Sequence, residues 1–298
     1  MGFLGAVLLA AVLIAQLVCG YCHRPITTSY ITSKGHPYHE TCYVEHVAPR
    51  CVVCSQPITT DYLRDPWGNV FHREHKQDTP QCQYCSRILS TKGSRGGFVY
   101  GDGRTICGIC KATAVLDDKQ AGTLAKAVRK RMAGLGLSVP YGDIPLELGD
   151  RNWLAGIRAQ HPGLVATRTD ATAFTNTVTT TRGARVVSKK VAIYVLAGLP
   201  IEVFQGTYAH ELMHARNHLV ADLRHTPELE EGAANYAEAL YLANLNTAAA
   251  RYHLQALETS EDPIYGQGYR RVKRMVADYG FAGLLGWLET QPDFPFGY

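Results

Sequence analysis

Beyond Cys110 the sequence has no cysteine; all nine lie between Cys19 and Cys110. It has no block of Lys or Arg, and its net charge of +4 with 19% charged residues is mild. Nucleic-acid binding therefore has no electrostatic footprint here. The chain also lacks the apolar poverty of disordered proteins: 46% of its 298 residues are hydrophobic, enough for a real core. Its first residues carry no basic start, and no A-x-A cleavage pattern follows, so two marks of a secretory leader are absent. A cysteine-rich segment joined to a cysteine-free one argues for at least two domains.

What the N-terminus does have is an apolar run, residues 2–18, broken only by Gln16. Its length is at the lower limit of a spanning helix, about 17 residues. The first charges, Arg24 and Lys34, lie on its C-terminal side. The positive-inside rule then favours a cytoplasmic body tethered at its N-terminus. Three readings stand: a membrane anchor, a cleaved signal, or a buried or mis-assigned start. Secretion stays open.

The cysteine region reads as a string of metal ligands. C-x2-C (Cys19, Cys22) is followed after sixteen residues by H-x2-C (His39, Cys42). C-x2-C (Cys51, Cys54) is followed after seventeen by H-x2-H (His72, His75). C-x2-C (Cys82, Cys85) is followed after twenty-one by C-x2-C (Cys107, Cys110). These are three four-ligand sets of tetrahedral zinc type, closed and hence structural, with no position left for a reactive water. Cys22-x2-Pro-Ile-Thr-Thr recurs as Cys54-x2-Pro-Ile-Thr-Thr, shifted by 32 residues, which marks a repeated unit. The third unit keeps the ligands and loses that core. A disulfide framework is the competing reading. An odd cysteine count, the paired histidines and the poor bridge geometry of close sequence neighbours speak against it.

The second half opens with an amphipathic stretch, Leu116–Leu135, read as a connecting helix with a solvated basic face. Residues 137–200 read as strand-rich, with Val191–Leu196 a short buried strand and the edge strand expected to pair with an extended substrate backbone. Pro200 then opens a helix expected over 199–220. That helix carries His210-Glu211-Leu212-Met213-His214. The two histidines, one turn apart, leave one helical face and can grip one ion. Glu211, about 100° around the axis, can reach a water at that ion without ligating it. Seventeen residues past His214, Glu230-Glu231-Gly232 opens a further helical run to Leu245. Glu231 is the third-ligand candidate, with Glu230 or Glu228 as fallback. Two His and one Glu leave a fourth position to water, the catalytic pattern. His218 reads as a surface or supporting residue. His225, Tyr236 and Tyr265 are candidates for stabilising an oxyanion.

Read in order, these motifs resemble one family. They are the LIM-like fingers, Thr79-Pro80-Gln81-Cys82, Gly103-Arg104-x-x-Cys107-x-x-Cys110, Gly198-Leu199-Pro200, Ala209-His210-Glu211-x-Met213-His214-Ala215, Glu230-Glu231-Gly232 and Asp262-Pro263-Ile264-Tyr265-Gly266. Their succession over roughly residues 19–285 is similar to the plant LIM-domain peptidases that limit organ growth, the "DA-one" family, and to their shorter bacterial relatives. The resemblance implies LIM-type zinc hairpins followed by a gluzincin-like zinc metallopeptidase domain that cleaves proteins. His210, His214 and Glu231 would be its ligands and Glu211 its base. The gaps from Cys42 to Cys51 and from His75 to Cys82 are wider than the usual LIM hinge. No acidic ubiquitin-interacting helix precedes the fingers, so ubiquitin control is not implied.

The expected architecture is α+β. It divides into a hydrophobic segment (1–18), a LIM-like zinc region (19–112), a connecting helix (113–136) and a zinc metallopeptidase domain (137–298). The expected cofactors are one catalytic and about three structural zinc ions. The expected partners are protein substrates and a protein recruited by the fingers, without nucleic acid. Two rival functions are a LIM-type adaptor with an inactive zinc-binding domain and an enzyme acting on a non-peptide bond. Substrate, trigger and oligomeric state are not readable from these residues.

Overall fold

One backbone path occurs three times. In each C-x2-C knuckle the first cysteine amide donates to a carbonyl five residues on: Cys19 to Arg24, Cys51 to Gln56 and Cys82 to Arg87, all at 2.9 Å. The residue after the second cysteine takes a left-handed conformation in all three, with φ of 56° at His23, 65° at Ser55 and 55° at Ser86. An isolated bridge then closes each knuckle, Val18 to Pro25, Arg50 to Pro57 and Gln81 to Ile88. The third unit therefore keeps the fold of the repeat after losing its sequence. The repeat lives in this backbone path, which Pro-Ile-Thr-Thr accompanies in two units but does not dictate.

The computed structural model describes residues 16–140, 143–160, 172–182 and 185–298. Most of the apolar run 2–18 lies outside the described residues. Its last two members belong to the first finger, because the Ile26 amide donates to the Leu17 carbonyl (2.8 Å) and Val18 bridges Pro25. Among the described residues no helix is long and apolar enough to cross a membrane.

The chain divides into two compact units, residues 1–79 and 80–298. The first holds two hairpins, β1 (Tyr30–Ser33) with β2 (His36–His39) and β3 (Tyr62–Arg64) with β4 (Val70–His72). Short helices follow them, α1 (Glu40–Cys42), continued by a π-turn over Tyr43–Val47, and α2 (His75–Asp78). The third ligand set, grouped by sequence with the first two, is part of the second unit. There α3 (Thr91–Ser94), the hairpin β5 (Gly97–Val99) and β6 (Thr105–Cys107), and α4 (Gly108–Lys111) form the finger. The strand β7 (Ala114–Val115) pairs with β11 (Leu199–Pro200), directly before the long central helix.

The second unit continues through α5 (Asp118–Gly134), β8 (Leu146–Gly149), α6 (Arg151–Ala159), β9 (Ala173–Arg182) and β10 (Arg185–Leu196). After β11 come α7 (Ile201–Val220), α8 (Pro227–Ala243), α9 (Ala248–Thr259), a π-turn over Pro263–Gln267 and α10 (Gly268–Thr290). The observed elements are thus mixed helix and sheet. Helix α7 runs between the sheet and α8, burying Phe204, Tyr208, Leu212 and Met213 against Ile193, Val195, Leu229 and Ala233. Each such large side chain contributes about 1.5–3 kcal/mol by leaving water.

Two expectations change. The sheet order is β8-β10-β9, so Val191–Leu196, expected at an edge, lies at the centre. Its unbroken apolar run fits that place, with β8 parallel on one side and β9 antiparallel on the other. The strand-rich reading of 137–200 also missed helix α6. Its signal was the N-cap Asp150, whose carboxylate accepts from the Trp153 amide (2.8 Å). The connecting helix and the two helices of the metal motif otherwise lie within a few residues of the expected bounds, with Pro200 capping α7 rather than entering it.

Candidate metal centres

Among the described residues four ligand groups gather: Cys19, Cys22, His39 and Cys42; Cys51, Cys54, His72 and His75; Cys82, Cys85, Cys107 and Cys110; and His210, His214 and Glu231. All nine cysteines are free thiols. In the first two sets the histidine turns Nδ1 to a thiol, His39 to Cys22 and His72 to Cys54, both at 3.4 Å. Each Nε2 then donates to a proline carbonyl, His39 to Pro25 and His72 to Pro57, both at 3.2 Å. That backbone carbonyl fixes the ring and leaves Nδ1 for metal. In the third set Cys85 and Cys107 sulfurs stand 3.7 Å apart, near the edge of about 3.8 Å of a tetrahedron with Zn–S bonds of about 2.3 Å. Burial opposes charge on these thiols, but knuckle amides overcome it, drawing Cys19 down to about 6 and Cys51 to about 7.

The fourth group differs. His210 and His214 leave one face of α7, and Glu231 meets them from α8. The two Nε2 atoms are 3.1 Å apart. Glu231 Oε2 lies 3.3 Å from His210 Nε2 and 3.6 Å from His214 Nε2. Three donors at about 2.0–2.1 Å from one tetrahedral ion would stand about 3.3–3.4 Å apart. Glu231 Oε2 is also buried without a hydrogen-bond partner, as is His75 Nε2 of the second set. A buried acceptor without a donor is costly, and an ion removes that cost at both places. The donor chemistry and the orphaned oxygen fit zinc.

Electrostatics point the same way. Burial opposes charge on the two imidazoles, yet Glu231 beside His210, and Glu230 with Glu231 beside His214, raise both pKa values. Burial likewise opposes charge on Glu231, and the two imidazoles hold its carboxyl below the usual range. The pocket is built to contain positive charge. Behind it, His214 Nδ1 faces Glu230 Oε1 at 3.4 Å and His210 Nδ1 faces Glu238 Oε2 at 3.9 Å. Glu230, a fallback ligand by sequence, thus addresses the far nitrogen. Glu238 was not singled out; its signal was the spacing of seven residues from Glu231, which repeats a helix face. Glu230→Gln is expected to weaken zinc at this centre by about 10–100-fold, read by competition with a chromophoric chelator. An unchanged affinity would remove Glu230 from the support of His214.

Glu211 is buried, and its Oε2 accepts from the Thr175 hydroxyl of β9 (2.7 Å). Sequence reasoning missed Thr175, because nothing local in a Thr-rich strand tells which threonine faces the helix. His225 bonds the Leu288 carbonyl (2.8 Å), Tyr236 packs on Phe281, and Tyr265 lines the cleft. His218 Nε2 stands 3.9 Å from Glu230. The cleft measures about 1390 Å³ and runs along β9 with the metal group on its floor.

Gly232 explains its own place after Glu231. A Cβ there would come within 2.5 Å of the Gly268 backbone, and one on Gly268 within 2.3 Å of the Glu228 carbonyl. Two glycines let α8 cross the start of α10 backbone to backbone, which fixes the turn that presents Glu230 and Glu231.

No family model matches the chain, and no solved structure does. Among curated proteins it is similar to Protein DA1 of Arabidopsis thaliana, 27% identical over 93% of this chain and 63% of that one. It is similar to Protein DA1-related 1 of the same plant, 25% identical over 93% of this chain and 61% of the other. LIM domain-containing protein HDR3 of rice is 28% identical over 78% of this chain and 52% of its own length. The chain thus spans about three fifths of the Arabidopsis relatives. Similarity that runs through finger region and helical unit alike, together with ligand clusters that fit LIM-type zinc sites, supports the DA1 family of LIM-domain proteins for this chain.

Proposed function

We propose that the chain is a zinc-dependent peptidase acting on protein substrates. The observation that carries this reading is the triangle of His210, His214 and Glu231 around one point, open to a cleft, with the buried carboxylate of Glu211 beside it. Zinc held there would supply Lewis acidity, polarising a carbonyl and acidifying a water.

The rest is done by the protein. Glu211 takes the proton of the attacking water and passes it to the leaving amine. Thr175 holds one oxygen of Glu211, so the other is left for the water. Among the described residues β9 is an edge strand of its sheet and lines the cleft, and an extended substrate adds beside it as a further strand. The closed cysteine sets are structural, and the first two fingers recruit a partner or substrate.

The test is zinc counting beside a cleavage assay. Wild type should hold four zinc ions, one per gathered group, and a His210→Ala/His214→Ala double variant three. The wild type alone should cut an unfolded protein such as casein. Three ions in both proteins, with no cleavage, would leave a LIM-type adaptor as the better reading.

A further inference from the structure

The wall of the cleft beyond the metal group comes from an unexpected source. Gln83 and Tyr84, the two residues between the third-set ligands Cys82 and Cys85, both line it. The knuckle is held from several sides. The Gln83 amide donates to Thr105 (3.1 Å), the Tyr84 hydroxyl accepts from Arg104 (2.7 Å), and the Ser86 hydroxyl accepts from Tyr252 of α9 (2.7 Å). The side-chain oxygen of Gln83 accepts from the Thr105 amide (3.2 Å). That bond fixes the carboxamide with its NH2 group on the other side, as a donor.

Two cations line the same stretch, Arg151 and Arg158 of α6. They are seven residues apart and so share one helix face. Among the described residues, the carboxylates that line the cleft are elsewhere. Glu211, Glu230, Glu231 and Glu238 crowd at the metal group, and Asp222 pairs with Lys189 (2.6 Å) at the opposite end. Strand register places the cationic end along the substrate track. The Leu196 amide donates to Thr172 (2.8 Å), Ala197 to Gly149 (2.8 Å), and Arg104 to the Ala197 carbonyl (2.8 Å). Thr172, α6 and the knuckle therefore meet at the start of β9. Thr175, beside Glu211, lies three strand residues on, or about 10 Å.

We infer that the third zinc-type knuckle forms one wall of the substrate cleft and, with Arg151 and Arg158, a subsite for an acidic side chain about three residues from the bond cut. The position of that bond rests on the peptidase reading; the acidic preference of the wall does not. Gln83 donates to the substrate carboxylate, and the two guanidinium groups supply charge.

The experiment uses two synthetic peptide libraries, alike except for Glu or Lys fixed three residues to either side of a randomised core. Wild type should cut the Glu library roughly five- to tenfold faster, the range a few solvent-facing charges produce. Arg151→Glu and Gln83→Glu should bring the two libraries to parity or invert them. In parallel, a benzophenone side chain installed at position 83 of the Glu211→Gln protein should capture Glu peptides over Lys peptides. An unchanged preference in both variants, or equal capture, overturns the subsite. A wild type that cuts neither library would instead remove the peptidase reading, and the capture ratio would decide the subsite alone.

Discussion

Glu211→Gln is expected to lower turnover by about 10²–10⁴-fold while leaving the zinc count unchanged. The substitution keeps shape and keeps an acceptor for Thr175, since the amide oxygen can take the place of Oε2. It removes the negative charge and with it the ability to carry a proton. Glu211 is not among the donors that gather at the metal group, so metal should stay. Elemental analysis and a cleavage assay on the same sample read both halves. A variant that still cuts at the wild-type rate would show that the water loses its proton elsewhere. Lost zinc would mean that the carboxylate holds the ion and not the water.

Arg104→Ala is expected to destabilise the second unit by about 3–5 kcal/mol, because it strands a buried carboxylate. Arg104 and Asp102 are almost fully buried as a pair, with Nε 2.8 Å from Oδ2. The guanidinium also reaches the Tyr84 hydroxyl and the Ala197 carbonyl, and Asp102 accepts from the Arg151 amide (3.0 Å). One arginine thus ties the third finger to the sheet and to the turn before α7. For a unit of this size the melting temperature should fall by about 6–20 °C. Acid should act on the same hub. Burial opposes charge on Asp102, but the Arg151 and Arg104 amides and the guanidinium outweigh it, holding its pKa below 3.8. A carboxyl depressed on folding contributes stability above its unfolded pKa, and that contribution is lost as pH falls through the folded one. Denaturant titrations of wild type and Arg104→Ala at pH 7 and near pH 3 measure this. A loss under about 1 kcal/mol would mean that water replaces the arginine.

What the sequence made legible was what local spacing controls. C-x2-C is a turn, and His-x3-His is a helix face, so twelve finger ligands and two histidines could be grouped without a fold. Glu231 was reachable because zinc peptidases of the gluzincin class, which the motifs resemble, often place the ligand glutamate directly before a glycine; here Gly232 and Gly268 make a close helix crossing. What escaped was set by packing between distant segments. Thr175 meets Glu211 across 36 residues, and no periodicity in a threonine-rich strand selects it. The central place of β10 depended on β8, whose four residues gave little signal of their own. Helix α6 was hidden by β-favouring neighbours on both sides and betrayed only by its cap.

The division of the chain between Thr79 and Pro80 has a consequence for how such proteins can be built and cut. The boundary falls inside the row of fingers and not after it. Fingers one and two fall together in the first unit. The third belongs to the second, for its backbone continues into the strand pair that starts α7. A gene fragment trimmed at the end of the zinc-ligand region would therefore sever the scaffold, whereas one begun at Pro80 keeps it whole. Counted by sequence the chain has three fingers; counted by compact units, two share one unit and the third is built into the other.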